Sequence, residues 1–329
     1  MNENDLRLSN FRKPPSTEQR LAEMNKILQP LQASFETAVS PRLPVLFIIG
    51  PPRSGSTLMS QLIGQSGLFG ILNNFVARFW LAPAVGAMID RAISFSASSG
   101  ESSFLNKHGV TAGWSEPHEF GYFWDRWFDF GQETHNLTEE ERAQVDVAGL
   151  LRALASIENG FEKPLSFKNN TWCTFQADFI ARCLPKALFV VCRRNSLFIA
   201  QSLMESRRER YGRDDLWWSL RPSRYREILA CPCWEQVAWQ ALDVEREMEE
   251  SVARIDPARV VDAGYSRLCN TPGDIIEEIR TRCAELGSPL PASAPLPATF
   301  RATDRQRLSD EEWACLVAAM ETHTSRMPG

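Results

Sequence analysis

The chain has 329 residues, 43% of them hydrophobic and 23% charged, with a formal net charge of -5. That length suits one large α/β domain with insertions, and the composition is that of a globular protein rather than a disordered or fibrous one. The acid balance argues against a general nucleic-acid binder while leaving room for a local basic pocket.

The start, MNENDLRLSN, has neither the basic residues nor the apolar stretch of a signal peptide. No later run approaches the roughly 20 apolar residues that cross a bilayer. The expectation is a soluble cytoplasmic protein with no stable membrane insertion. Residues 1–43 are polar and proline-punctuated around EQRLAEMNKILQPLQ. They read as an N-terminal extension that lies on the domain or contacts a partner subunit, so a homodimer is one expectation. Residues 44–329 read as a single α/β domain.

Residues 44–50 form the first buried strand and 56–66 the helix after it. Between them lies GPPRSGST, whose Gly50 and Gly55 have the separation found in the nucleotide loop G-x-x-x-x-G-K-[ST]. Ser56, however, stands where that loop carries its lysine, and Arg53 sits inside the turn. A helical and aromatic insertion follows at about 75–160. It contains the serine-rich SFSASSGESS (94–103), read as a lid or a solvated loop. His108 after it either lines the site or is simply exposed. Thr138 and Glu141 make a capping box for a helix reaching about residue 158.

Next come a short strand at PLSFK, a helix after Asn170 and Thr171, a strand at ALFVVC and a helix over about 196–210. A long helix carries Trp234, Val237, Ala238, Leu242 and Val252 near one face. RVVDAGY is a further strand and PGDIIEEIRTRCAEL a further helix. Ser309 and Glu312 open the last helix with a second capping box. This alternation predicts a central, mainly parallel sheet flanked by helices, with ligands at the carboxyl ends of its strands. The eight cysteines are scattered through these elements as reduced core thiols, and the isolated pair Cys231 and Cys233 lacks the partners of a zinc site. His135 and His323 read as structural or surface residues.

The stretch LPKALFVVCRRNSLFIAQSLMESR repeats the opening logic: a buried strand, basic residues at its exit, then a helix. Arg194 stands at the exit and Ser202 eight residues later. A guanidinium fork and a hydroxyl suit phosphate oxygens. Together with the glycine loop they describe a ligand with phosphate at two separate places.

These segments resemble the sulfotransferases that use 3′-phosphoadenosine 5′-phosphosulfate (PAPS, leaving the product PAP). GPPRSGSTL is similar to their 5′-phosphosulfate loop and RNSLFIAQS to their 3′-phosphate motif, over about residues 44–290. The resemblance implies a P-loop-like sulfotransferase fold of the bacterial-type branch, metal-free transfer, and a donor held by Arg53, Ser54, Gly55, Ser56, Thr57, Arg194 and Ser202. It implies Lys168, in LSFKNN, as a catalytic lysine, Arg53 as a catalytic residue as well as a donor ligand, and Tyr265 near the adenine. Asn170 replaces the histidine of the cytosolic branch, and Asn73 and Asn74 stand where relatives carry a glutamate. FRATDRQR takes the place of the glycine- and lysine-rich closing segment, and is expected to supply arginine there.

WSEPHEFGYFWDRWFDFG (114–131) packs three tryptophans, one tyrosine and four phenylalanines around Glu116, His118, Glu119, Asp125 and Arg126. It is either an amphipathic core helix or an acceptor site whose rings stack on the substrate. In the second case the base is Glu119, then His118, then Glu116. The leading expectation is sulfuryl transfer from PAPS to a hydroxylated small-molecule or glycan acceptor. A Mg²⁺-dependent P-loop kinase or ATPase, and a non-catalytic sulfotransferase-like binding protein, are the alternatives.

Overall fold

A computed structural model describes residues 3–96, 104, 106–107, 110–111, 113–131 and 133–324. His108 and the serine-rich stretch from residue 97 onward lie outside the described residues. The strands are β1 (Val45–Ile49), β2 (Gly70–Ile71), β3 (Asn106–Lys107), β4 (Val110–Thr111), β5 (Leu165–Lys168), β6 (Ala187–Arg193) and β7 (Val260–Gly264). Five of them form one sheet in the order β2-β5-β1-β6-β7. Every neighbouring pair in it is parallel. β3 and β4 pair antiparallel as a separate hairpin.

β1 is buried along its whole length, as the central strand of a two-faced parallel sheet must be. Its alternate residues serve different cores. Val45, Phe47 and Ile49 face a cluster with Leu154, Ile157 and Phe161 of the helix Val147–Phe161 and Ile180 of the helix Ala177–Cys183. Leu46 and Ile48 face Met59, Leu62 and Ile63 of the helix Ser56–Ser66 and Ile275, Ile276 and Ile279 of the helix Pro272–Glu285. On the first face Phe47 stacks between Phe167 and Phe189, with ring centroids 5.8 and 5.6 Å apart. The parallel register brings these three residues opposite one another. A third cluster joins the helices Ser196–Tyr211, Cys233–Val252 and Asp310–Thr324 through Leu203, Val237, Ala241 and Leu316.

The helix Pro15–Gln32 docks through amides rather than an apolar stripe: Ile27 and Leu31 are exposed, whereas Asn25 and Gln32 are buried. Asn25 donates to Arg78 O (2.7 Å) and accepts from Leu81 N (2.9 Å), and Gln32 bonds Ser156 and accepts from Ala84 N. Both expected capping boxes form. The helix after Thr138 is shorter than expected, ending at Arg142. A separate helix begins at Val147 because Asp146 caps it, accepting from Gly149 N at 2.8 Å. Trp234 also departs from its expected face; it is 37% exposed, while Val237 and Ala238 are fully buried.

Candidate active site

β1 lies at the point where the chain turns to build the sheet on either side, β2 and β5 to one flank, β6 and β7 to the other. The crevice at the carboxyl ends there is the place where open α/β sheets take ligands. The loop after β1 needs its glycines. Gly50 and Gly55 have φ of 151° and 101°. A Cβ on Gly50 would stand 2.5 Å from Cys192 O, and one on Gly55 would stand 3.0 Å from the Tyr265 ring. Arg53 itself adopts φ 70°, a left-handed conformation rare for a side-chain-bearing residue.

The helix Ser56–Ser66 starts directly from this loop. Met59 N reaches Gly55 O at 3.0 Å, so the amides between them are those an α-helix leaves without an intrahelical partner at its N-terminus. Ser54 is fully buried and its Oγ has no partner among the described residues. Ser56 and Thr57 are also buried. Asn170 braces the loop from below: it donates to Gly50 O (2.5 Å) and Pro51 O (3.3 Å) and accepts from Ser56 Oγ (3.0 Å).

The segment of Arg194 and Ser202 meets the glycine loop. Arg53 Nε donates to Ser202 Oγ at 2.9 Å, and Arg194 Nη1 donates to Arg53 O at 2.8 Å. The Arg194 guanidinium carbon lies 4.3 Å from the centre of the Tyr265 ring. Burial, then the neighbouring Arg194, pulls the Arg53 pKa down to about 10, so it remains a cation at neutral pH. Arg53, Gly55, Arg194, Ser202 and Tyr265 are thus one contiguous surface, assembled from four separate elements. FRATDRQR reaches it too, chiefly through residues other than arginine. Asp304 and Thr303 contact Arg194, whereas Arg301 and Arg305 are exposed. Arg307 alone approaches Arg53, and it is paired with Glu205.

One strand over, at the end of β5, Lys168 Nζ donates to Glu119 Oε1 at 2.5 Å. The lysine side chain is 4% exposed and the carboxylate 37%, so the cation faces inward and the anion faces the opening. The backbone that carries Glu119 is tightly held. Asn169 Nδ2 donates to Glu119 O at 2.9 Å, and Phe120 takes a left-handed φ of 58°. Gly121 packs so close to Trp172 that a Cβ would come within 2.7 Å of its ring.

His118 does not have the free lone pair a base requires. Its Nδ1 accepts the Phe120 amide at 2.8 Å, which leaves Nε2 as the protonated nitrogen of the neutral ring. Burial first, and the cations Lys168, Arg78 and Lys13 next, push its pKa down to about 4 despite Glu119. Glu116 is buried and turned to the helix Ser56–Ser66, accepting from Gln61 Nε2 at 2.9 Å. The aromatic rings mostly belong to the core: Phe120, Phe123, Trp124 and Phe128 are at most 1% exposed, and Trp124 packs on Phe47 and Phe167. Trp114 and Tyr122 are the exposed large rings of the segment. His135 is a half-buried bracket, accepting from Arg221 N through Nδ1, and His323 is fully buried against Asp243. Asn169, Asn170 and Asp304 are the site residues that sequence reasoning did not single out. The only signals were the asparagine in place of a histidine and the unusual closing segment.

A family model described as "Sulfotransferase family" matches residues 44–289. A search of curated proteins found no match. Among solved structures the chain is similar to a sulfotransferase from Mycobacterium tuberculosis H37Rv, at 17% identity and a TM-score of 0.47, covering 92% of this chain and 76% of that one. It is similar also to a sulfotransferase from Mycobacterium avium, at 14% identity and a TM-score of 0.49, covering 94% of this chain and 78% of that one.

Proposed function

We propose, from the premise that this chain belongs to the sulfotransferase family, that it moves a sulfuryl group from PAPS to a hydroxyl of a small-molecule or glycan acceptor. The observation that carries the reading is the contact of Arg53 with Ser202 and of Arg194 with the Arg53 carbonyl. It joins two anion-binding strand ends into one crevice, as a nucleotide with phosphates at its 5′ and 3′ ends requires.

The residues present suit such a donor. The partnerless buried Ser54 Oγ is a donor available to a 5′-phosphosulfate, and the glycines let the loop close against Cys192 and Tyr265 with its backbone in the left-handed turn such a loop needs. Ser56 and Thr57 contribute at the helix N-terminus, where the dipole favours an anion. Arg194 and Ser202 would hold the 3′-phosphate and Tyr265 would flank the base. When bound, PAPS supplies the sulfuryl group, whose transfer forms a bond from the acceptor oxygen to sulfur and breaks the bond to the 5′-phosphate.

The Glu119–Lys168 pair supports a division of labour. Glu119, at the opening, would take the proton of the acceptor hydroxyl. Lys168, on the inner side, would leave Glu119 and stabilise charge on the departing 5′-phosphate oxygen. Asn169 keeps the Glu119 backbone in register while that happens.

Sulfate transfer from labelled PAPS to a panel of hydroxylated acceptors tests the reading. Glu119→Gln and Lys168→Met should each lower kcat by roughly 10²-fold or more while PAP still binds. Full activity in both variants would sink the assignment of Glu119 as base and of Lys168 as the group that stabilises the leaving oxygen.

A further inference from the structure

Arg194 is held in the crevice by the chain itself. Its side chain is 5% exposed. Nε donates to Asp304 Oδ1 at 2.7 Å, and Nη2 stands 2.5 Å from the same oxygen as an ion pair. Nη2 also reaches Thr303 Oγ1 at 3.1 Å, and Nη1 is spent on Arg53 O. Thr303 in turn lies 3.0 Å from the Tyr265 hydroxyl. The strap that delivers these two residues has no helix or strand between Phe300 and Leu308. It is pinned at both ends, by Phe300 N on Cys269 O (2.7 Å) and by Arg307 N on Gln201 Oε1 (2.7 Å).

We infer that Asp304 is the protein's own occupant of the second anion site, holding Arg194 in the place a 3′-phosphate takes, so that donor binding exchanges one anion for the other. This rests on the donor reading above. The charges explain why an occupant is needed: Arg53, Arg194 and Arg307 converge there, and Glu205 and Asp304 are the carboxylates among them. Without Asp304, two buried guanidinium groups would share a crevice with one carboxylate already committed to Arg307. An unpaired buried charge is strongly unfavourable. A phosphate dianion offers three acceptor oxygens, whereas Asp304 contacts Arg194 through one, so the exchange runs toward the phosphate. A nucleotide phosphorylated only at its 5′ end has nothing to exchange.

The test is calorimetric titration of PAP and of AMP into the wild-type protein, Asp304→Asn and Asp304→Glu. Asn keeps the shape and removes the competing charge; it should tighten PAP about five- to tenfold and leave AMP unchanged, with Glu close to wild type. Equal tightening of PAP and AMP, or no tightening of PAP in a folded Asn variant that binds it, would overturn the exchange. No PAP binding by wild type would overturn the donor reading itself, and this inference with it.

Discussion

His118 and Glu119 are adjacent in sequence and opposite in circumstance. The carboxylate stands at the opening on a buried lysine, whereas the imidazole is tied by its Nδ1 to the Phe120 amide. Burial holds the His118 pKa near 4, and burial together with Arg221 holds that of His135 near 3. The unfolded chain takes up these protons below about pH 6.5, the folded chain only near pH 4 and pH 3. Stability is therefore complete above pH 6.5 and falls as pH drops toward 4. The unfolding midpoint should decline over that window, and less steeply in His118→Asn, whose amide oxygen can still accept the Phe120 N–H. An identical slope in the variant would contradict a neutral imidazole held at Nδ1 by the Phe120 amide. At this scale the placing of Arg53, Arg194 and Ser202 beside the carboxyl ends of the strands was readable because each sits at a strand end or a fixed spacing from one. Lys168 was marked by the family resemblance alone, and the role of each is a proposal. Asp304 was not: its partner Arg194 is 110 residues away in the chain, and nothing local marks an acidic residue as the occupant of a basic site.

Among the elements, the loop after β1 depends on Asn170 as much as on its glycines. That residue is 3% exposed and satisfies two carbonyls and one hydroxyl of the loop. Truncating it leaves Gly50 O to Thr174 Oγ1 (3.4 Å), Pro51 O to Ser54 N (3.2 Å) and the Ser56 hydroxyl without its acceptor, which costs about 1–3 kcal/mol. Asn170→Ala should shift the urea midpoint accordingly and weaken PAP binding. Wild-type stability and affinity together would show the brace to be dispensable. The strands and most helices were readable because continuous apolar runs and helical spacing are local signals. The helix expected from Thr138 to about 158 was not read correctly. Asp146 starts a new helix there, and an acidic cap inside an amphipathic pattern looks like any other polar position. The aromatic segment divided in the same way. Periodicity could not say that Phe123 and Trp124 would meet Phe167 of β5 rather than an acceptor.

For the whole molecule, the strand order is what makes the site. β5, β1 and β6 lie side by side and all run the same way, so Lys168, the glycine loop and Arg194 emerge along one edge although they are spread over more than 140 residues. The alternation of strands and helices made a parallel sheet legible, but not which strands would be neighbours, since that is decided by long-range pairing. Among the described residues no helix is long and apolar enough to cross a membrane, and no cluster of side chains could hold a metal ion. The account's central claim is that two linked anion sites select a nucleotide phosphorylated at both its 5′ and 3′ ends, without metal. Calorimetric titration of PAP and ATP, each in EDTA and in Mg²⁺, tests it most directly. The account predicts that PAP binds equally well with and without Mg²⁺, and at least tenfold tighter than ATP in both conditions. Tight, Mg²⁺-dependent ATP binding with no binding of PAP would contradict it.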